Sequence, residues 1–424
     1  MTTIATTSTQ KNYTNQIVII GILFFTFGFI TWLNGTLIPF LKLICDLKTD
    51  AQSFLVTFAF FIAYFCLAIP SSKILETTGY KKGMWMALIV MAIGSLIFIP
   101  AANARSFPLF LTGLFVQGMG LALLQTASNP YISIIGPADS AASRISMMGI
   151  CNKIAGALSP IILGSIILNN ASGLESSIKT ASEPALREQI LNEAANRIVT
   201  PYIAIAISLL LLALFIAKSG LPEIEEQSSL SGNSKSSRSP MRTPYVVLGA
   251  LCIFMYVGAE VMAGDLIGFY GRKLGFVLDQ TRFFTTLTLI AMLVGYVASI
   301  ITIPKILSQE ASLKWSAILG ILITIAVYFS DGKLAVGLIA CLGIANAPMW
   351  PAIFPLGIRN LGSGTKLGSA LLVMGIAGGA VIPQIYGRFI DAHFWDFKTG
   401  FLITLICCYA YVLWYGVRGF KIGS

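Results

Sequence analysis

The chain has 424 residues, of which 56% are hydrophobic and only 11% charged, with a formal net charge of +10. A soluble chain carries about 25% charged residues, and charge is costly to bury in hydrocarbon, so this is the composition of a polytopic membrane protein. The basic residues flank apolar runs, where the positive-inside rule and anionic headgroups favour them, so the positive charge points to a lipid bilayer and away from nucleic acid. The seven cysteines form no C-x-x-C pair, and a single histidine, His393, leaves no room for an H-E-x-x-H hydrolase motif. No disulfide framework, metal site or other cofactor is expected.

Residues 1–16 (MTTIATTSTQKNYTNQ) are polar and lack an apolar core. No cleavable signal peptide is read there, and the first span is expected to act as the insertion signal. About 20 apolar residues at 1.5 Å rise cross a hydrocarbon core of ~30 Å. Twelve runs approach that length: 17–41, 52–72, 83–102, 107–135, 145–169, 200–218, 244–271, 282–304, 313–330, 333–357, 366–387 and 397–419. The first carries FFTFGFITWLNGTLIPF from Phe24 to Phe40, which places Thr31, Trp32, Asn34, Gly35 and Thr36 inside a greasy helix. Polar groups in hydrocarbon need a cavity or a neighbouring helix, so this span is expected to line a wet space.

Most interruptions are short and polar, such as Asp331-Gly332-Lys333. Two are long. Residues 172–199 are of mixed charge and compatible with helix. Residues 219–243 (SGLPEIEEQSSLSGNSKSSRSPMRT) are rich in Ser, Gly and Pro, the composition of a flexible linker.

That linker divides the spans into six and six, and the halves repeat. Ile69-Pro70 pairs with Ile303-Pro304, Asn129-Pro130 with Trp350-Pro351, and Gly156/Pro160/Gly164 with Gly379/Pro383/Gly387. Span one repeats as span seven, aligning Gly28 with Gly258 and Gly35 with Asp265. The expected fold is an all-α membrane protein of twelve transmembrane helices in two six-helix halves, 1–218 and 244–424, joined by a cytoplasmic linker at 219–243. Secondary transporters are built this way, with the site between the halves near the midplane. The loops on the side of the termini carry the larger share of Lys and Arg, which favours cytoplasmic N- and C-termini.

Three ionisable residues fall well within spans: Lys153, Glu260 and Asp265. Each costs roughly 2.5–3.5 kcal/mol at the bilayer centre on insertion scales, so each is expected to face a cavity or another charge. Helical rise places Lys153 ~14 Å and Glu260 ~23 Å into their spans from the same side. Side chains and tilt would have to close that gap for the two to pair. Asp265 lies a turn further out, placed either to snorkel to the outer headgroups or to join a coupling site.

Gln125 and Asn129, four apart, share a helix face. Asn152 is rotated ~100° from Lys153, so the two are not expected to point squarely into one cavity. Amides donate and accept, which suits the hydroxyls of a sugar, and Trp32, Trp350 and Tyr64 could offer aromatic faces. The alternative for each amide is a hydrogen bond between helices, about 0.6–2 kcal/mol; for each ring it is packing. Glycine runs such as Gly375-Ile-Ala-Gly378-Gly379 fit close helix packing rather than a phosphate loop.

Several stretches resemble the fucose–galactose–glucose permease family of the major facilitator superfamily. They are Phe29-Ile-Thr-Trp-Leu-Asn34 with Leu37-Ile38-Pro39, Leu124-Gln125-Thr-Ala-Ser-Asn129-Pro130-Tyr131 with Gly136-Pro137, Tyr256-Val257-Gly258-Ala259-Glu260-Val261, and Pro351-Ala-Ile-Phe354 with Leu356 to Gly362. The resemblance implies a hexose transporter working by alternating access. Proton-coupled fucose permeases carry Asp where this chain has Gly35 and Glu where it has Gln125, whereas glucose/galactose-type members also have Gln at the latter. The fucose branch's substrate and proton mechanism are therefore not expected.

On this reading the chain is no enzyme but a monomeric inner-membrane carrier of a neutral hexose. Asn34, Gln125, Asn129, Asn152 and Trp350 would bind substrate, and Glu260, Lys153 and Asp265 would serve coupling. Sodium symport, proton symport and uniport stay open. An efflux carrier would want an aromatic, methionine-rich cavity. A membrane transferase or hydrolase would want clustered carboxylates or histidines such as D-D-x-x-D, which the sequence lacks. A transport-free sensor would bring an appended signalling domain, and none is read here.

Overall fold

The computed structural model describes residues 13–135, 141–223, 240–302, 306–359, 361 and 364–423. The polar leader up to residue 12, Gly136-Pro137, linker residues 224–239, Pro304, Asn360 and Gly362 lie outside the described residues. Twelve helices are long and apolar enough to cross a membrane: Thr14–Ile44, Asp50–Thr78, Tyr80–Asn103, Phe107–Ser133, Arg144–Thr180, Pro184–Lys218, Pro244–Gly264, Leu278–Thr302, Gln309–Tyr328, Gly332–Ile358, Leu367–Asp391 and Phe397–Val417. They are called spans one to twelve below. Each coincides with one of the apolar runs in the sequence. The long interruption at 172–199 is helical, as Ala171–Thr180 and Pro184–Asn196, which extend the facing ends of spans five and six.

Spans two, three, four and six pack on one another in the first half, and span one packs on span five. In the second half spans eight, nine, ten and twelve form the matching group, with span seven against span eleven. Span two against span eleven and span five against span eight join the halves. Glycine makes the closest approaches possible. A Cβ on Gly378 would overlap the Phe254 carbonyl, and one on Gly118 would overlap that of Phe60. Small residues at such crossings let backbones touch where lipid offers no hydrophobic drive to associate.

The first span of each half is broken within one turn of the same repeat position. Span one is helical over Thr14–Thr31 and again over Asn34–Ile44, while span seven ends at Gly264 and resumes at Ile267–Lys273. A break frees backbone groups that hydrocarbon cannot satisfy. Span eight supplies the remedy: Thr285 donates to the Gly264 carbonyl and Thr288 to that of Ala263, both at 2.8 Å.

At the end away from the termini the halves are tied by charged and polar groups. The Asp391 carboxylate, in the second half, accepts from the backbone N–H of Asp50 (3.1 Å) and Ala51 (2.8 Å) at the start of span two. Asp279 does the same for Ala171 (3.2 Å) and Ser172 (2.9 Å). In each case a carboxylate from one half caps a helix N-terminus in the other, satisfying orphan donors and the positive end of the dipole. Lys273 reaches Asp50 at 2.7 Å, and Arg272 reaches Glu175 at 3.0 Å. This end of the molecule is shut.

Candidate functional site

Between the halves lies a cavity of about 110 Å³ walled by spans one, two, four, five, seven, eight, ten and eleven. Its polar lining comes mainly from the first half: Thr31, Gln125, Asn129, Asn152 and Lys153. Its aromatic lining is shared, with Phe24, Phe27, Trp32, Phe61 and Tyr64 from the first half and Tyr256, Tyr296 and Trp350 from the second. Four-residue spacing puts Gln125 and Asn129 on one face of span four, as it does Tyr256 and Glu260 on span seven.

Gln125 donates to the Tyr64 hydroxyl at 2.8 Å, which leaves its carbonyl side for another partner. The Asn129 side-chain nitrogen is buried with no partner. A buried amide N–H without an acceptor costs about 1–3 kcal/mol, so this donor is set for something that enters the cavity. Trp350 stacks on Phe354, ring centroids 5.5 Å apart at 24°, and presents a flat face.

Lys153 and Glu260 meet at 2.7 Å, with side chains 8% and 10% exposed. The pair joins span five of the first half to span seven of the second, so it bridges the halves across the cavity. The two long side chains meet across the gap in depth that helical rise alone implies. The ammonium also sits 4.3 Å over the Trp32 ring, a cation–π contact that eases its desolvation. Trp32 is held in turn by glycine: a Cβ on Gly156 of span five or on Gly264 of span seven would overlap the indole. At Gly149 the same economy lets the Tyr296 ring close over span five, where a Cβ would stand 2.7 Å from it.

The cavity thus gathers Gln125, Asn129, Asn152, Lys153, Glu260 and Trp350. Three sequence expectations need correction. Asn152 and Lys153 line one cavity together, because the lysine side chain is long enough to curl back over Trp32. Asn34 does not line it; the residue opens the second half of span one, fully buried, and donates to the Thr31 carbonyl at 3.2 Å. The helix break turns it away. Asp265 neither snorkels to the surface nor lines this cavity: it is 2% exposed and borders a separate one toward the shut end. Tyr256 and Tyr296 went unread in the sequence. Tyr256 could have been found from its spacing to Glu260; Tyr296 has no such signal.

The family model described as Major Facilitator Superfamily matches residues 20–383. The chain belongs to the major facilitator superfamily. Within this superfamily it is 33% identical over 422 residues to the glucose/galactose transporter of Brucella abortus biovar 1 (strain 9-941), covering 98% of this chain and 96% of that one. It is 29% identical over 412 residues to the L-fucose-proton symporter of Escherichia coli (strain K12), covering 94% and 92%. Among solved structures it superposes on FucP, a major facilitator superfamily transporter in the outward conformation, with a TM-score of 0.77 at 25% identity over 97% of this chain and 99% of that one. The twelve apolar helices in this superfamily fold make the chain a multi-pass membrane protein of transporter type.

Proposed function

We propose that the chain carries a neutral hexose of the glucose or galactose kind across the inner membrane by alternating access, coupled to a cation, without catalysing a reaction. The observation that supports this most is the mixed lining of the central cavity. Amide groups with donors or acceptors to spare, beside flat aromatic rings, suit a solute that has hydroxyls on its edge and apolar C–H faces. Gln125, Asn129 and Asn152 would hold hydroxyls, and Trp350 would stack on a sugar face. The names borne by its relatives point the same way. A carrier of apolar drugs would favour methionine, and no methionine lines the cavity among the described residues.

On this reading residues 1–218 and 244–424 rock as two bodies about the central site, and 219–243 links them in the cytoplasm, where both termini also lie. The protein works as a monomer. The shut end then faces outward and the described state is closed to the outside. The Lys153–Glu260 bridge ties sugar occupancy to the contact between halves, since a hydroxyl entering the cavity competes for both charges. Asp265, on the outer side of the same interface, completes the coupling groups.

Uptake of labelled D-glucose, D-galactose and L-fucose into proteoliposomes, with sodium and proton gradients imposed separately, tests the proposal. Accumulation of glucose or galactose under one gradient is expected. Failure of every sugar to accumulate or exchange would overturn it.

A further inference from the structure

Asp265 is the odd charge of this interface. It is 2% exposed, and no side chain hydrogen-bonds either carboxylate oxygen. It stands at the break in span seven and lines a second cavity of about 660 Å³ toward the outer end. Facing it is the first turn of the resumed span one, with the Gly35 N–H pointing toward it. A Cβ on Gly35 would overlap the Thr285 hydroxyl, so glycine is what allows this close seating.

Every other acid nearby has a cation. Glu260, on the same span, holds Lys153 of span five. Around the outer cavity Asp50 sits between Lys42 (2.6 Å) and Lys273 (2.7 Å), Glu175 lies between Lys179 (2.9 Å) and Arg272 (3.0 Å), and Asp46 meets Arg187 at 3.2 Å. On span eight, Arg282 is engaged with Asp279 at 3.5 Å. An ionised carboxylate buried with a single backbone N–H and no paired counter-charge costs several kcal/mol, and one bound proton removes that cost. A metal cation would need further oxygens. The carbonyls freed at the break, Ala263 and Gly264, are already taken by Thr288 and Thr285, and no group of three or more His, Cys, Asp or Glu among the described residues is placed to hold a metal.

We propose that Asp265 is a proton-binding site loaded from the outer cavity, and that the outer end shuts only over its protonated form. The proton comes from the outer aqueous phase while the halves are apart there and water reaches the carboxylate. Closure strips that water, so the ionised form holds the outer end open and the protonated form lets it close. Binding and closure are linked, each favouring the other to the same degree. The inference rests on the symport reading for its purpose, but its test needs no sugar.

The test measures opening of the outer end directly. Spin labels at Lys48→Cys and Phe394→Cys, exposed positions in opposite halves, are introduced into a background with the native cysteines replaced. The protein is placed in lipid nanodiscs and the distance between labels is followed against pH, with sodium held constant and then varied. The short, closed distance should dominate at low pH and give way to the longer one as pH rises, with at least a tenfold change in their ratio. Asp265→Asn should stay closed throughout, and Asp265→Glu should keep a response with a displaced midpoint.

An unchanged pH response in Asp265→Asn overturns the proposal, as does opening or closing driven by sodium and indifferent to pH. If Asp265→Asn fails to fold, Asp265→Glu decides: a wild-type midpoint in that variant places the titrating group elsewhere. A normal pH response with no sugar uptake would count against the hexose reading alone.

Discussion

At the scale of single residues, the bridge between Lys153 and Glu260 governs how the central cavity tolerates change. Removing one partner of a buried pair strands the other, at a cost of about 3–5 kcal/mol, while replacing both by apolar groups can be nearly neutral. Lys153→Met and Glu260→Gln should therefore each lower the thermal stability of the purified protein markedly, and Lys153→Met/Glu260→Leu should recover most of the loss. Glu260→Gln should also abolish concentrative sugar uptake while leaving exchange; persistence of accumulation would remove Glu260 from coupling. Gln125 offers a milder case. Its Nε2 is held by Tyr64, so Gln125→Leu forfeits about one neutral hydrogen bond to a sugar and strands the tyrosine hydroxyl. That is about 1–2 kcal/mol, a roughly tenfold rise in KM for the transported hexose. A KM unchanged by this substitution would place the sugar elsewhere.

At the scale of elements, the shut outer end depends on two helix caps that cross between halves. Asp391 caps span two and Asp279 caps the helix that begins at Ala171. A carboxylate cap is typically worth about 1 kcal/mol, so Asp391→Ala together with Asp279→Ala should move the balance toward the outward-open form by about 2 kcal/mol, roughly thirtyfold. Labelling of Ser53→Cys, a position buried in the shut state on the wall of the outer cavity, in a cysteine-free background by a membrane-impermeant maleimide should quicken accordingly. An unchanged labelling rate would mean that these caps do not hold the gate.

The elements also mark where the sequence stops speaking. The twelve apolar runs and their six-plus-six repeat are written in composition, because lipid enforces length and hydropathy. The breaks in spans one and seven are not, since Trp32-Leu33 and Asp265-Leu266 interrupt the helix without proline or a polar run. This is why Asn34 reads as a cavity residue in the sequence and turns away in the fold. Gln125, Asn129 and Asn152 were legible as amides with no business in hydrocarbon. Tyr296 was not, because a buried tyrosine in a greasy helix looks the same whether it packs or lines a site.

At the scale of the whole molecule, the central cavity can serve transport only if the two ends open in turn, and the outer tie between Asp50 and Lys273 gives a handle on that requirement. The two side chains belong to opposite halves and meet at 2.7 Å in the shut state. Replacing both with cysteine in a cysteine-free background and bridging them with a short, reducible bifunctional reagent should lock the outer end without touching any residue of the central cavity. Asp50 also bonds Lys42 and supplies the backbone N–H that Asp391 caps. The unbridged double variant is therefore the reference, expected to transport more slowly than the wild type but measurably. Once bridged, it should keep hexose binding, read by tryptophan fluorescence because Trp32 and Trp350 line the cavity, and lose both uptake and exchange. Reduction of the bridge should restore both. Exchange needs the outer end to open even when no net accumulation occurs, so it separates alternating access from a fixed channel. Exchange that continued at the unbridged rate with the halves locked would show that sugar passes without the rocking of one half against the other.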